Sequence, residues 1–351
     1  MNERLRGVEM TRTHAYVITE PYRGNIQGFD VLDLSSEDVL VKVQACGVCT
    51  TDRRLFAGKL KVAYPVIGGH EVSGEVVRVG RDVKNVAPGM RVALDTIFRC
   101  GSCYYCRKGL DHLCLYSRKG AKIGDAVLIA GGFSEYITVK QAQVFSMADT
   151  VDFVEAAMSE PFACCLHSFQ KAHLSSGDSV LIIGAGTMGL LHAMTAQLNG
   201  VASLISDSDA ARRDFANQLG YRTVEPSMVI EAKQRNNEGL GFDAVFITAP
   251  VLSLINDSLS LVRKGGAIVI YTSLHPSGNV VFDANQMHYT EVVITGTEGR
   301  TKEDFRKATA LISNASVDLK PLVTKHIRLG DLSEELSNVP SGNSQRTIIT
   351  F

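Results

Sequence analysis

An excess of charge of either sign is missing from this 351-residue sequence: 36 Lys and Arg stand against 37 Asp and Glu, a formal net charge of −1. That balance removes the electrostatic case for nucleic acid or an anionic membrane as the main partner and favours a small molecule. No uninterrupted apolar run is long enough to cross a bilayer, and residues 1–10 are charged without the apolar centre of a signal peptide. A soluble, cytoplasmic protein is therefore expected. Internal repeats and low-complexity tracts are also lacking, and residues 341–344 read as an ordinary surface loop. Eight cysteines are present, yet a disulfide scaffold is not expected, because a chain of this length can bury its own core. Half of them crowd between 100 and 114, which points to metal.

The length suggests two domains, and the hydrophobic rhythm changes along the chain. Early on, apolar and polar residues alternate between glycines: at Val39, Val41 and Val43, then over 71–79, 91–97 and 135–139. This is the period-two signature of short, mostly antiparallel strands. From Ser179 the unit becomes apolar strand, glycine turn and helix, with strands at 180–183, 203–206, 244–248 and 267–271 and helices at 188–198, 210–219 and 252–262. Such alternation implies a parallel sheet covered by helices, an α/β fold. A polar-faced helix at 302–312 and a final strand at 347–351 follow, the strand returning to the first lobe.

Gly184-Ala185-Gly186-Thr187-Met188-Gly189 sits between an apolar strand and a helix. In that context the glycines allow a tight turn and close approach of a pyrophosphate, whose charge rests on the helix N-terminus. A second strand ends in Asp207, eighteen residues past the last glycine, which suits a carboxylate that accepts from the adenosine ribose and repels a 2′-phosphate. NAD is favoured on that reading; Asp207 as a helix cap, with Arg212 and Arg213 nearby, leaves NADP as the alternative.

Cys100, Cys103, Cys106 and Cys114 supply four thiolates at the short spacings that close a tetrahedral zinc site from one loop. Four sulfurs leave no open position, so this metal is expected to be structural. A second constellation is dispersed: Cys49-Thr50-Thr51-Asp52, Gly68-Gly69-His70-Glu71 and Glu160-Pro161. One sulfur, one imidazole and a carboxylate with a position left for substrate is the composition of a catalytic zinc site, although each residue alone, like Cys46, is commonly a core or structural one.

Taken together with Gly132-Phe133-Ser134-Glu135-Tyr136, these motifs make the chain resemble the zinc-containing medium-chain dehydrogenases, and their polyol (sorbitol) and threonine dehydrogenase branch more than the liver type. The resemblance implies a GroES-like, mostly-β catalytic domain at 1–163 and 301–351 and a Rossmann, doubly wound cofactor domain at 164–300. It implies two zinc ions per chain, NAD or NADP, and a homo-oligomer, tetramer or dimer. Cys49 and His70 become zinc ligands, Glu71 a neighbouring carboxylate that approaches or exchanges onto the metal, and Glu160 the third direct or water-mediated ligand. The implied reaction moves a hydride between a secondary alcohol and the nicotinamide, zinc acting as Lewis acid.

Thr51 is the expected first proton carrier, since its hydroxyl can relay a proton without ionising. Many relatives end that relay in a histidine where this chain has Arg54, which is no usable base; the relay then ends in solvent, or Arg54 contacts substrate or cofactor phosphate. Cys164, Ala249 and Thr272 are expected to border the nicotinamide, with Cys165 packing behind. Glu298 and Arg300 are either substrate contacts or solvated helix-start charges, and Phe56 and Phe98 either cleft walls or core. Two other readings remain open: an NADP-dependent ketone or aldehyde reductase, and a non-enzymatic zinc module, which would need neither Cys49, His70 nor the dinucleotide turn.

Overall fold

The computed structural model describes residues 12–31, 33–117, 122–274 and 277–351, so the charged stretch 1–10 lies outside it. The chain divides into two compact units. One comprises Met1–Glu160, Thr309–Val339 and Arg346–Phe351; the other comprises Pro161–Ala308 and Pro340–Gln345.

The first unit is built on the eleven-residue strand Asp38–Val48. It pairs antiparallel with Glu71–Val79, Tyr136–Lys140 and the returning strand Arg346–Thr350 in a seven-stranded sheet. A five-stranded sheet containing the hairpin Arg12–Glu20 and Arg23–Asp30 completes the unit. Val39, Val41 and Val43, the residues whose alternation marked the strand, are fully buried beside Val72, Leu94, Phe133 and Ile349 in one core. Strand bounds shift by a few residues from the sequence reading: 91–97 stops at Asp95, and 135–139 becomes Tyr136–Lys140.

The second unit is a six-stranded parallel sheet ordered Arg222–Val224, Ala202–Ser206, Ser179–Ile183, Phe242–Ile247, Val262–Ile270, Val293–Gly296. The chain runs outward in one direction from Ser179–Ile183, then returns to its other side at Phe242–Ile247. Ligands of doubly wound sheets bind at such a reversal, beyond the carboxyl ends of the strands. Both central strands are buried along their whole length, which is why they read as continuous apolar runs. One element differs from the expectation. The helix beginning at Leu252 ends at Asp257, and Val262 opens the strand Val262–Ile270. Leu261 and Val262 have helical spacing, but the Leu261 carbonyl accepts from Phe242 N–H at 2.9 Å and Val262 pairs with Phe242, so sheet pairing outweighs local pattern.

His192, within the buried helix Thr187–Leu198, carries a pH dependence. Its Nδ1 lies 2.7 Å from the Met188 carbonyl, which only accepts, so Nδ1 carries the proton and Nε2 receives the Ser168 hydroxyl at 2.9 Å. The ring meets Tyr271 edge-on at 4.8 Å. Burial pulls its pKa down to about 4 despite the Met188 bond. The unfolded chain protonates this ring near 6.5, so the contribution is complete above that pH and is lost as pH falls from about 6.5 to 4, on the order of 3 kcal/mol in all. Chemical denaturation at pH 7 and near 4.5 is expected to show this loss in the wild type and a smaller one in His192→Gln; equal losses would refute the assignment.

Candidate active and metal sites

The dispersed motifs of the first unit converge. A ligand atom from each of Cys49, His70 and Glu71 lies within 4.8 Å of the other two. Cys49 sits at the N-cap of the short helix Thr50–Phe56, its side chain making no cap bond to the helix. Asp52 does the local work instead: one carboxylate oxygen accepts from Cys49 N–H at 2.9 Å and the other from Gly69 N–H at 3.1 Å. The second oxygen is also 3.6 Å from His70 Nδ1, so a buried carboxylate backs the imidazole and leaves Nε2 for the ligand face. Burial opposes charge on His70, but Asp52 outweighs it and raises the imidazole pKa. Gly69 adopts φ +84°, and a Cβ there would strike the Phe133 ring and backbone. This links the Gly132–Tyr136 motif to the turn that aims His70.

Glu71 is the unusual member. Both its oxygens are fully buried and neither accepts a hydrogen bond; Arg346, also buried, forms an ion pair at 3.2 Å without hydrogen-bond geometry. Burial pushes the Glu71 carboxyl up to about 7, against the pull of Arg346 and with Glu160 adding repulsion. A Cβ at Gly47 would lie 1.9 Å from the carboxylate, so glycine there is what gives Glu71 its room. Glu160 is buried and near enough to act on Glu71 electrostatically but is not among the three whose ligand atoms cluster. A thiol, an imidazole with a carboxylate behind it and an orphaned buried carboxylate form a donor set suited to Zn²⁺, which would satisfy the unpaired oxygens. Cys46 is fully buried outside the group, its thiol pushed well up by burial.

The second group is Cys100, Cys103, Cys106 and Cys114, whose sulfurs all lie within 4.8 Å of one another. All are free thiols, and Cys100 and Cys106 are 3.9 Å apart. A disulfide would need about 2.05 Å, whereas a tetrahedron with Zn–S near 2.3 Å has edges of about 3.8 Å. The backbone turns its N–H groups onto the sulfurs: Cys103 N–H and Ser102 N–H reach Cys100 at 3.2 and 3.4 Å, and Cys100 N–H reaches Cys114 at 3.4 Å. The Ser102 contact leads in holding Cys100 down to about 6, while burial pushes Cys106 up to about 12. Arg99 ties the loop down through buried Asp95 at 2.5 Å and Asp111 at 3.2 Å.

In the second unit the glycine turn lies at the sheet reversal. Gly184 has φ +116°, and a Cβ on Gly189 would come within 1.8 Å of the Gly184 carbonyl, so these two serve the turn and the helix packing. Around Gly186 a Cβ would meet nothing within 4 Å, an open approach that suits a pyrophosphate. Asp207 accepts from Ala185 N–H at 2.7 Å and from Asp209 N–H at 2.8 Å; the helix cap itself is Asp209. Arg213 donates to the Asp207 carbonyl, and Arg212 to the carbonyls of Gly342 and Pro340. Ala249 and Thr272 both follow strands and donate their N–H groups to Ile183 and Ile247 carbonyls.

With this geometry in place, residues 35–149 match the alcohol dehydrogenase GroES-like domain and residues 187–314 the zinc-binding dehydrogenase domain. The D-arabitol-phosphate dehydrogenase of Enterococcus avium is 32% identical over 91% of each chain. The chain belongs to the zinc-containing medium-chain dehydrogenases. Within them it falls in the polyol and threonine dehydrogenase-like branch: an L-threonine 3-dehydrogenase of Pseudoalteromonas atlantica is 30% identical over 90% of this chain and 92% of that one. A zinc-binding dehydrogenase of Sinorhizobium meliloti 1021 bound to NADP superposes with a TM-score of 0.88 at 28% identity, over 97% of this chain and all of that one. This dehydrogenase is therefore a zinc-dependent oxidoreductase acting on CH–OH groups with a nicotinamide dinucleotide. Among its described residues no helix is long and apolar enough to cross a membrane.

Several supporting residues of the dehydrogenase were not legible beforehand. Asp52 lies inside the Cys49–Asp52 motif, but of its two N–H partners, Cys49 and Gly69, the second comes from a separate segment; Arg346 and Gly47 carry no signal of their own. Other candidates sort by burial. Phe56 is core, edge-on to Tyr22 at 5.9 Å, while Phe98 is exposed. Arg300 is buried above the Phe305 ring, 3.9 Å from Cys164, and so is not a solvated charge; Glu298 is exposed. Cys165 packs 3.3 Å from His192. Thr51 is exposed and Arg54 half-buried on the helix after Cys49.

Proposed function

We propose that the enzyme oxidises a secondary alcohol of the polyol, cyclitol, sugar or hydroxy amino acid type with NAD, through a catalytic zinc held by Cys49, His70 and Glu71. The observation that carries this reading is the buried carboxylate of Glu71, without a hydrogen bond, beside a thiol and an imidazole. Glu160 stands behind Glu71 as the ligand that would take its place, and Cys100, Cys103, Cys106 and Cys114 would hold a structural zinc. When bound, the catalytic metal supplies Lewis-acid polarisation of the alcohol. Asp52 holds His70 in register, and Arg346 offsets the charge that Glu71 brings into a dry site. Thr51 accepts the alcohol proton at its hydroxyl and passes its own on to solvent, since Arg54, always charged, cannot end the relay as a base; Arg54 instead contacts a polar substrate or the cofactor phosphate. Cys164, Ala249 and Thr272 border the nicotinamide, and Gly184, Gly186, Thr187, Met188 and Gly189 form the phosphate turn.

NAD is preferred because Asp207 keeps a carboxylate at the end of the second strand while Arg212 and Arg213, the natural receivers of a 2′-phosphate, donate to backbone carbonyls. The NADP-bound relative makes NADP the alternative. The relatives' names, an arabitol-phosphate and a threonine dehydrogenase, have a secondary alcohol in common and support a substrate of that kind. A cytoplasmic homo-oligomer, tetramer or dimer, is the assembly we assign to it.

The test is a panel of polyols, polyol phosphates, sugar acids and hydroxy amino acids, assayed by nicotinamide absorbance with NAD and with NADP. No turnover of any member, or a clear preference for NADP, would overturn the corresponding part of the reading. Thr51→Val is expected to cost on the order of a hundredfold in oxidation rate with zinc content and cofactor affinity unchanged; full activity would remove Thr51 from the relay.

A further inference from the structure

The stretch at 341–344, unremarkable as sequence, leads into Gln345, which is buried against the dinucleotide turn. Gln345 Nε2 donates to the Ala185 carbonyl at 3.3 Å, and its Oε1 accepts from the Thr187 hydroxyl at 3.4 Å. The orientation of the amide follows from chemistry, since a carbonyl cannot donate. Upstream, Arg212 grips the same segment through the carbonyls of Pro340 and Gly342. Segment 340–345 is thus strapped at two points within the second unit, at the start of the helix after Asp207 and at the glycine turn.

We infer that Gln345 is a positioning residue for the cofactor pyrophosphate. The inference rests on the dinucleotide reading of the turn. A trans peptide is planar, so its C=O and N–H point in opposite directions. Pinning the Ala185 carbonyl to Gln345 therefore fixes the Gly186 N–H to point away from the strap. The two preceding peptides are fixed too, because Ala185 N–H is held by Asp207 and the Gly184 N–H donates to the Ser206 carbonyl at 2.7 Å. Gly186 is the glycine with open space around it, where backbone must be free to meet phosphate. A glycine-rich turn has many accessible conformations, and ordering it when the ligand binds costs affinity. Gln345 removes part of that cost in advance. It acts through the turn, without touching the reacting atoms.

Gln345→Met keeps length and shape but neither donates nor accepts at these positions. It is expected to raise the Kd for ADP-ribose, measured by calorimetry, roughly tenfold. The Ki of adenosine, which lacks the pyrophosphate, should stay within about twofold, as should kcat at saturating cofactor; melting temperature should be little changed. Gln345→Glu retains the acceptor for Thr187 but offers the Ala185 carbonyl no donor, so it should weaken ADP-ribose at least as much. Unchanged ADP-ribose affinity in either variant overturns the inference, as does equal weakening of ADP-ribose and adenosine, which would mark a general packing defect. Failure of the wild type to bind ADP-ribose would instead overturn the dinucleotide reading, and the inference with it.

Discussion

Cys49→Ala is expected to release one of two zinc ions and to lower kcat/KM for alcohol oxidation by about three orders of magnitude or more, with the fold intact. The backbone at this position does not depend on the thiol. Cys49 N–H is held by the Asp52 carboxylate, and its side chain makes no cap bond, so alanine keeps the start of the helix Thr50–Phe56. What it removes is the only sulfur of the three-residue group. Lewis-acid stabilisation by a catalytic metal is worth several kcal/mol, and each 1.36 kcal/mol is about tenfold in rate. Glu71 would then be left buried with neither metal nor hydrogen bond, a situation that favours its protonation. Metal analysis, circular dichroism and steady-state kinetics on the purified variant check the three parts together. Retention of both metals, or activity within about tenfold of wild type, would sink the assignment of Cys49.

Cys106→Ser should do the reverse: release the other zinc and lower stability by several kcal/mol, leaving the catalytic ion in the molecules that remain folded. The four thiols occupy one loop with little core of its own, and Tyr104, Leu110, Leu113 and Leu115 around it are exposed. Metal binding in such a loop is folding free energy, because the site does not exist in the unfolded chain. The N–H groups aimed at Cys100 and Cys114 favour thiolates there and lose their purpose once the metal leaves. Thermal unfolding with and without a zinc chelator, beside metal analysis, is the measurement. A variant with unchanged melting temperature and metal content would remove the structural role of this loop.

These two experiments also separate what was readable at each level. The four-cysteine loop and the glycine turn are local: their residues lie within one short stretch, and side-chain reach and backbone conformation over that stretch are set by spacing, glycine positions and the strand-to-helix change of rhythm. The same holds for the parallel sheet of the second unit, whose central strands announce themselves by burial on both faces. The end of the helix after Leu252 was not readable, since Leu261 and Val262 fit a helical stripe as well as a strand until Phe242 is seen to pair with them.

What the sequence by itself determined, then, was which groups the chain offers: four thiols at metal-ligand spacing, a glycine turn of the dinucleotide type, and the Cys49, His70 and Glu71 types suited to a catalytic metal. Tertiary structure alone decided how those groups are charged and supported. Glu71 lies beside Cys49 and His70, with room that Gly47 leaves it; Arg346, far along the chain, supplies its counter-charge; Asp52 joins Cys49 to the turn before His70; and Gln345 reaches the glycine turn from the last segment. The physical reason is that ion pairing, desolvation and hydrogen-bond satisfaction depend on which groups are buried together. Co-burial is a property of the folded chain, whereas turn conformation and ligand spacing belong to a few consecutive residues.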